Sequence, residues 1–129
     1  MNILIAEDDP VSAIALRRVL EKSGHKVTTT ANGAEALKAW QEGNFPIVVT
    51  DWMMPEVDGL EVCRRIRQAG RLPYTCIVML TAKQTREDRV QALGEGVDVF
   101  LTKPLIANDL IARIQVAERI LLMEQEAVD

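Results

Sequence analysis

Short apolar runs alternate with longer amphipathic stretches along this chain, five times over. The apolar runs fall at 2–6, 26–30, 47–50, 76–81 and 99–102. Three are almost wholly apolar: Ile3-Leu4-Ile5-Ala6, Ile47-Val48-Val49 and Ile77-Val78-Met79-Leu80. Strands covered by helices on both faces have that composition. The run Lys26-Val27-Thr28-Thr29-Thr30 is β-branched but polar, which suits the edge of a sheet.

The stretches between them read as helices with legible ends. Asp9 is placed to cap the first, with Pro10 at its first helical position and Gly24 at its end. Asn32-Gly33-Ala34-Glu35 resembles a capping box for the second, which should stop near Gly43. The third is expected over 60–69, ending at Gly70, and the fourth over 86–95, ending at Gly96. The fifth starts after Pro104 and covers about 106–126. Strands and helices in strict alternation predict a doubly wound α/β fold, a parallel sheet with helices on both faces. No repeat, linker or low-complexity stretch interrupts the pattern, so residues 1–129 are expected to form one domain.

In such a sheet the functional site forms beyond the carboxyl ends of the strands. Those ends carry Glu7-Asp8-Asp9 after the first strand, Asp51 after the third, Thr81 at the fourth and Lys103-Pro104 after the fifth. Carboxylates brought together from two strands repel one another unless a cation joins them. Magnesium, with its small oxygen shell, suits one or two carboxylates plus water and phosphate oxygens; manganese is an acceptable substitute. A lysine and a hydroxyl in the same crevice supply a charge and a donor for a phosphoryl group, and an ionised aspartate is a competent nucleophile toward phosphorus.

The ordered set Glu7-Asp8, Asp51, Thr81 and Lys103-Pro104, with Asp51-Trp52-Met53-Met54-Pro55, Asp58-Gly59 and Leu80-Thr81-Ala82, resembles the receiver domain of two-component response regulators over essentially the whole chain. The resemblance implies a flavodoxin-like strand order 2-1-3-4-5. It implies that Asp51 accepts a phosphoryl group. Asp8 would bind magnesium directly, Glu7 through a metal-bound water and Met53 through its backbone carbonyl. Lys103 and Thr81 would contact the phosphoryl group, the Lys103–Pro104 bond would be cis, and Thr81 with Phe100 would form the switch. Met53 and Lys83 would flank the phosphoryl group and hinder water, so a slowly dephosphorylating protein is expected. The implied partners are a histidine kinase or phosphotransfer protein as donor, and an output domain or partner protein that reads the fourth helix, fifth strand and fifth helix. A phosphorylation-dependent homodimer is left open. The closing helix, Asp51–Met54 and Pro73-Tyr74 also resemble receivers fused to nucleotide-cyclase domains that make cyclic dinucleotides, although a stand-alone regulator fits equally.

Composition narrows the alternatives. The net charge is −4 with no basic block, which argues against direct nucleic-acid contact by these 129 residues. No apolar run approaches a membrane span and the first strand follows Met1 directly, so a cytoplasmic protein without a leader is expected. Cys63 and Cys76 have no metal-type spacing and read as free thiols. The acids after the first strand would repel a dinucleotide, and the fingerprint glycines are missing. A phosphatase of the haloacid dehalogenase type shares the acid, metal and lysine, but its second acid would stand where Met53 is. A degenerate interaction module that never meets phosphate is the remaining alternative.

Several side chains are read from the pattern alone. Trp52, Met53 and Met54 form an apolar shelf beside Asp51, and His25 is a surface residue. Asp98 and Arg113 either pair across a dimer face or are solvated. Leu110, Ile114, Ala117, Leu121 and Val128, with Glu124 in their series, form a stripe that covers the sheet and then runs on as a short coil, or frays.

Overall fold

The computed structural model describes residues 1–82 and 85–128. Its strands are β1 (Asn2–Ala6), β2 (Lys26–Thr30), β3 (Ile47–Asp51), β4 (Cys76–Thr81) and β5 (Val99–Thr102), and its helices are α1 (Pro10–Lys22), α2 (Gly33–Glu42), α3 (Gly59–Ala69), α4 (Arg86–Gly94) and α5 (Ala107–Val128). All pairings are parallel and the strand order is β2-β1-β3-β4-β5. The fold is therefore the doubly wound sheet that the alternation predicts, in the flavodoxin-like strand order that the resemblance implies.

Composition agrees with this order. β1, β3 and β4 occupy the middle and are buried almost throughout, whereas β2 stands at one edge with Lys26, Thr28 and Thr29 exposed. Alternate residues of each strand feed two cores. Leu4, Val48 and Ile77 pack with Trp40, Val62 and Ile66 from α2 and α3. Ile3, Val49 and Val78 pack with Leu16, Leu20, Leu110 and Ile114 from α1 and α5.

The helix ends form as their residues dictate. Asp9 accepts from the Val11 N–H ahead of Pro10, and Asn32 accepts from the Glu35 N–H at 2.8 Å. Glu35 reaches back to the Ala31 N–H at 3.0 Å, one residue beyond the partner a capping box would give it. Gly70 takes the left-handed conformation that ends α3. The fourth helix closes slightly sooner than its sequence suggests: Glu95 is its cap, because the chain has already turned into the positive φ of 104° at Gly96.

Three side chains depart from expectation. The shelf beside Asp51 consists of Trp52 and Met54, which are buried, while Met53 is 63% exposed. The His25 side chain is only 10% exposed, held between the Met1 amino group at 3.2 Å and Glu118 at 3.7 Å. Asp98 is neither solvated nor free for a partner. It accepts from Arg67 Nη2 at 2.9 Å, the Tyr74 hydroxyl at 2.6 Å and the Ile77 N–H at 2.8 Å, while Arg113 is exposed. In the α5 stripe, Leu110, Ile114 and Ala117 are buried and Leu121 is partly covered, whereas Leu122 and Met123 on the last turns are exposed. Among the described residues, no helix is long and apolar enough to cross a membrane.

Candidate functional site

β1, β3 and β5 end at the same edge of the sheet, and each delivers a charged side chain there. Glu7 and Asp8 follow β1, Asp51 is the last residue of β3, and Lys103 follows β5. Carboxylate oxygens of Glu7, Asp8 and Asp51 lie within 4.8 Å of one another. Lys103 Nζ donates to Asp51 Oδ2 at 2.8 Å and to Glu7 Oε1 at 3.4 Å. The lysine is held in place through its backbone, whose N–H donates to the Thr81 carbonyl at 2.9 Å. The Lys103–Pro104 peptide is cis, and so is Leu72–Pro73.

Burial differs sharply within this cluster. Glu7 and Asp51 are buried, Asp8 is exposed, and the Lys103 side chain is one-third exposed. Burial, followed by the neighbouring Asp51 carboxylate, pushes the Glu7 carboxyl up to about 7, against the opposing pull of Lys103. For Lys103, burial works to lower the ammonium, but the hydrogen bonds and charges of Asp51 and Glu7 outweigh it and hold it above its ordinary range. Among the described residues, Lys103 thus pairs with Asp51 and Glu7, and Glu7 Oε2 is fully buried without a hydrogen-bond partner. A buried carboxylate oxygen without a donor is costly. A hard cation among these oxygens would satisfy it and reverse the upward pressure on Glu7, so the donor set fits a divalent metal.

The remaining predicted residues are arranged around this cluster. Thr81 is buried at the end of β4, opposite Thr102 of β5. Phe100 stands two residues before Thr102, on the same face of the strand, and its ring is half-buried against the core beneath α2 and α3. The exposed Met53 side chain projects from the turn that follows Asp51. Lys83 lies outside the described residues. Two further residues, Thr50 and Gly59, lie at the Asp51 carbonyl, and neither carries the charge or ligand chemistry that marks a site in a sequence.

Comparison with known proteins agrees with this geometry. The family model described as the response regulator receiver domain matches residues 3–115. The chain belongs to that family. This receiver is 40% identical over 119 residues to the transcriptional regulatory protein TcrA of Mycobacterium tuberculosis, covering 92% of the chain and 46% of the relative. It is 40% identical over 118 residues to the transcriptional regulatory protein AfsQ1 of Streptomyces coelicolor, covering 92% and 51%. The receiver thus spans about half the length of the curated relatives it matches. Among solved structures, the receiver domain of the Francisella response regulator 1452 superposes with a TM-score of 0.85 at 30% identity, over 92% of this chain and 96% of that one. The chemotaxis protein CheY4 of Vibrio cholerae gives 0.85 at 27% identity, over 90% and 97%. Family membership replaces the haloacid dehalogenase alternative. It is also consistent with a phosphorylation-dependent switch in a two-component system.

Proposed function

We propose that Asp51 accepts a phosphoryl group from a histidine kinase or phosphotransfer protein, with magnesium bound by the acid cluster, and that residues 1–129 act as one receiver unit. The observation that carries this reading is the pairing of Asp51 Oδ2 with Lys103 Nζ inside a cluster of three carboxylates, one of whose buried oxygens has no donor among the described residues. Lys103 orients the Asp51 carboxylate. An Asp51 oxygen attacks phosphorus, and the phosphorus–nitrogen bond to the donor imidazole breaks. Its electron pair stays with the imidazole, which takes up a proton, and Asp51 is left as an acyl phosphate. Asp8 and Asp51, with Glu7 behind them and the Met53 carbonyl beside them, would hold the cation. Magnesium would neutralise charge on the transferring oxygens and on the acids that crowd them. Manganese would serve in its place.

Lys103 and the Thr81 hydroxyl then bind the new phosphoryl oxygens. Drawing Thr81 toward the phosphoryl group opens space for the Phe100 ring to move inward, which shifts the surface of α4, β5 and α5 between two populations. Val90 and Leu93 of α4 are already exposed on it, at 61% and 53%. That surface would meet an output domain, a partner protein or a second copy of the chain. The names of the relatives support a transcriptional output, with any DNA contact made by a further domain rather than by this receiver. They give no such support to the nucleotide-cyclase alternative. Chemistry of this kind is one phosphoryl group per event in a cytoplasmic regulator, not turnover of a substrate.

The test is incubation with acetyl phosphate and magnesium, followed by intact mass beside an Asp51→Asn control. The expected result is one added phosphoryl mass on the wild type alone, abolished by a chelator. No added mass, under conditions that label another receiver, would move the reading to a degenerate interaction module.

A further inference from the structure

Asp51 is held from beneath by two residues that take no part in the acceptor chemistry. Thr50 is fully buried, and its hydroxyl donates to the Asp51 carbonyl oxygen at 2.9 Å. That carbonyl lies where the ladder to β1 has run out, because β1 pairing ends with Ala6 opposite Thr50. The bond is therefore made from within β3 itself.

Gly59, the first residue of α3, presses on the same group. A Cβ at this position would stand 2.1 Å from the Asp51 carbonyl oxygen, 3.0 Å from its carbon and 3.1 Å from Thr50 Oγ1. The Gly59 N–H donates to the Trp52 carbonyl at 2.9 Å, and the Trp52 N–H donates to the Leu80 carbonyl at 2.9 Å. Both peptide planes around Trp52 are thus fixed: one by the Thr50 hydroxyl and β4, the other by the start of α3. The acceptor precedes this clamp and Met53 follows it.

We infer that Thr50 is a positioning residue for the acceptor site. Its hydroxyl sets the Asp51–Trp52 peptide, and through it the placement of the Asp51 carboxylate and the Met53 carbonyl toward the cation. The inference rests on the reading of the acid cluster as a magnesium site, and it concerns geometry: Thr50 acts only through Asp51. Thr50→Val keeps the shape and removes the donor, leaving a buried carbonyl without its bond, whereas Thr50→Ser keeps the donor.

The experiment is calorimetric titration of magnesium chloride into wild type, Thr50→Val and Thr50→Ser, with metal-free stability of each measured in urea. Thr50→Val should weaken magnesium about three- to ten-fold, the factor one ordinary hydrogen bond carries. Thr50→Ser should restore wild-type affinity even where its metal-free stability differs. Equal affinity in folded Thr50→Val and wild type would overturn the positioning role and leave Thr50 a packing residue. Absence of magnesium binding to the wild type would instead overturn the underlying site reading. If Thr50→Val does not fold, Thr50→Ala, which cannot clash with Gly59, is titrated in its place under the same criteria.

Discussion

Removing the Asp98 carboxylate should destabilise the isolated receiver substantially, although an acid beside the α4–β5–α5 face invites a reading as a dimer contact. Asp98 receives three hydrogen bonds, from Arg67 Nη2 at 2.9 Å, the Tyr74 hydroxyl at 2.6 Å and the Ile77 N–H at 2.8 Å. The side chains of Arg67 and Asp98 are 23% and 15% exposed, so the pair is screened only in part. Asp98→Ala deprives a buried backbone N–H, a phenol and a guanidinium of one acceptor at once. Arg67 keeps its bonds to the Gly96 and Thr75 carbonyls, which limits the loss. Breaking a buried pair costs about 3–5 kcal/mol, and the partial exposure and the surviving Arg67 bonds bring the expectation to roughly 2–4 kcal/mol. At this chain length that corresponds to a fall in Tm of order 10 °C.

The assay is urea unfolding of the monomer, with Arg113→Ala as the control and the slope of free energy against urea checked for constancy. Arg113 is exposed, so its loss should stay within about 0.5 kcal/mol. A loss below about 1 kcal/mol for Asp98→Ala would refute the reasoning, since exposed pairs are worth that little. A double-mutant cycle with Tyr74→Phe then separates the phenol's share, which non-additive losses would reveal.

The exposed Met53 and the enclosed His25 each carry an expected outcome. Met53→Asn should shorten the lifetime of the acyl phosphate, because the exposed thioether gives way to an amide that can orient water; an unchanged decay of the phosphorylated mass would count against that role. His25 is held below its ordinary value by burial, and then by the Met1 amino group, against the contrary pull of Glu118. The unfolded chain therefore takes up a proton that the folded one resists, so stability present above the ordinary value of 6.5 is lost as pH falls through it. The difference in unfolding free energy between wild type and His25→Gln should shrink in that direction, and a difference constant with pH would sink the argument.

Much of this molecule could be read from residues taken in order. Five strands, the caps at Asp9 and Asn32, the glycine that closes α3 and the edge position of β2 all follow from local periodicity and turn chemistry, which act over a few residues. The gathering of Glu7, Asp8, Asp51 and Lys103 was also legible, because parallel strands bring their carboxyl ends to one edge and those residues stand at the ends. Other features depended on contacts between segments far apart in the chain. Asp98 looked like a surface acid until Arg67, Tyr74 and β4 closed around it. His25 looked exposed because its cover comes from α5 and from Met1. The shelf beside Asp51 lost Met53, since consecutive residues in a turn need not share a face. Thr50 and Gly59 carry no chemistry that marks a site, and their relation to the Asp51 carbonyl exists only once α3 has docked on the end of β3. Position along the chain thus specifies which groups reach the site. Packing specifies which of them are buried, what each one bonds to, and how the acceptor's backbone is held, because burial and hydrogen-bond geometry are properties of packed neighbours rather than of order in the chain.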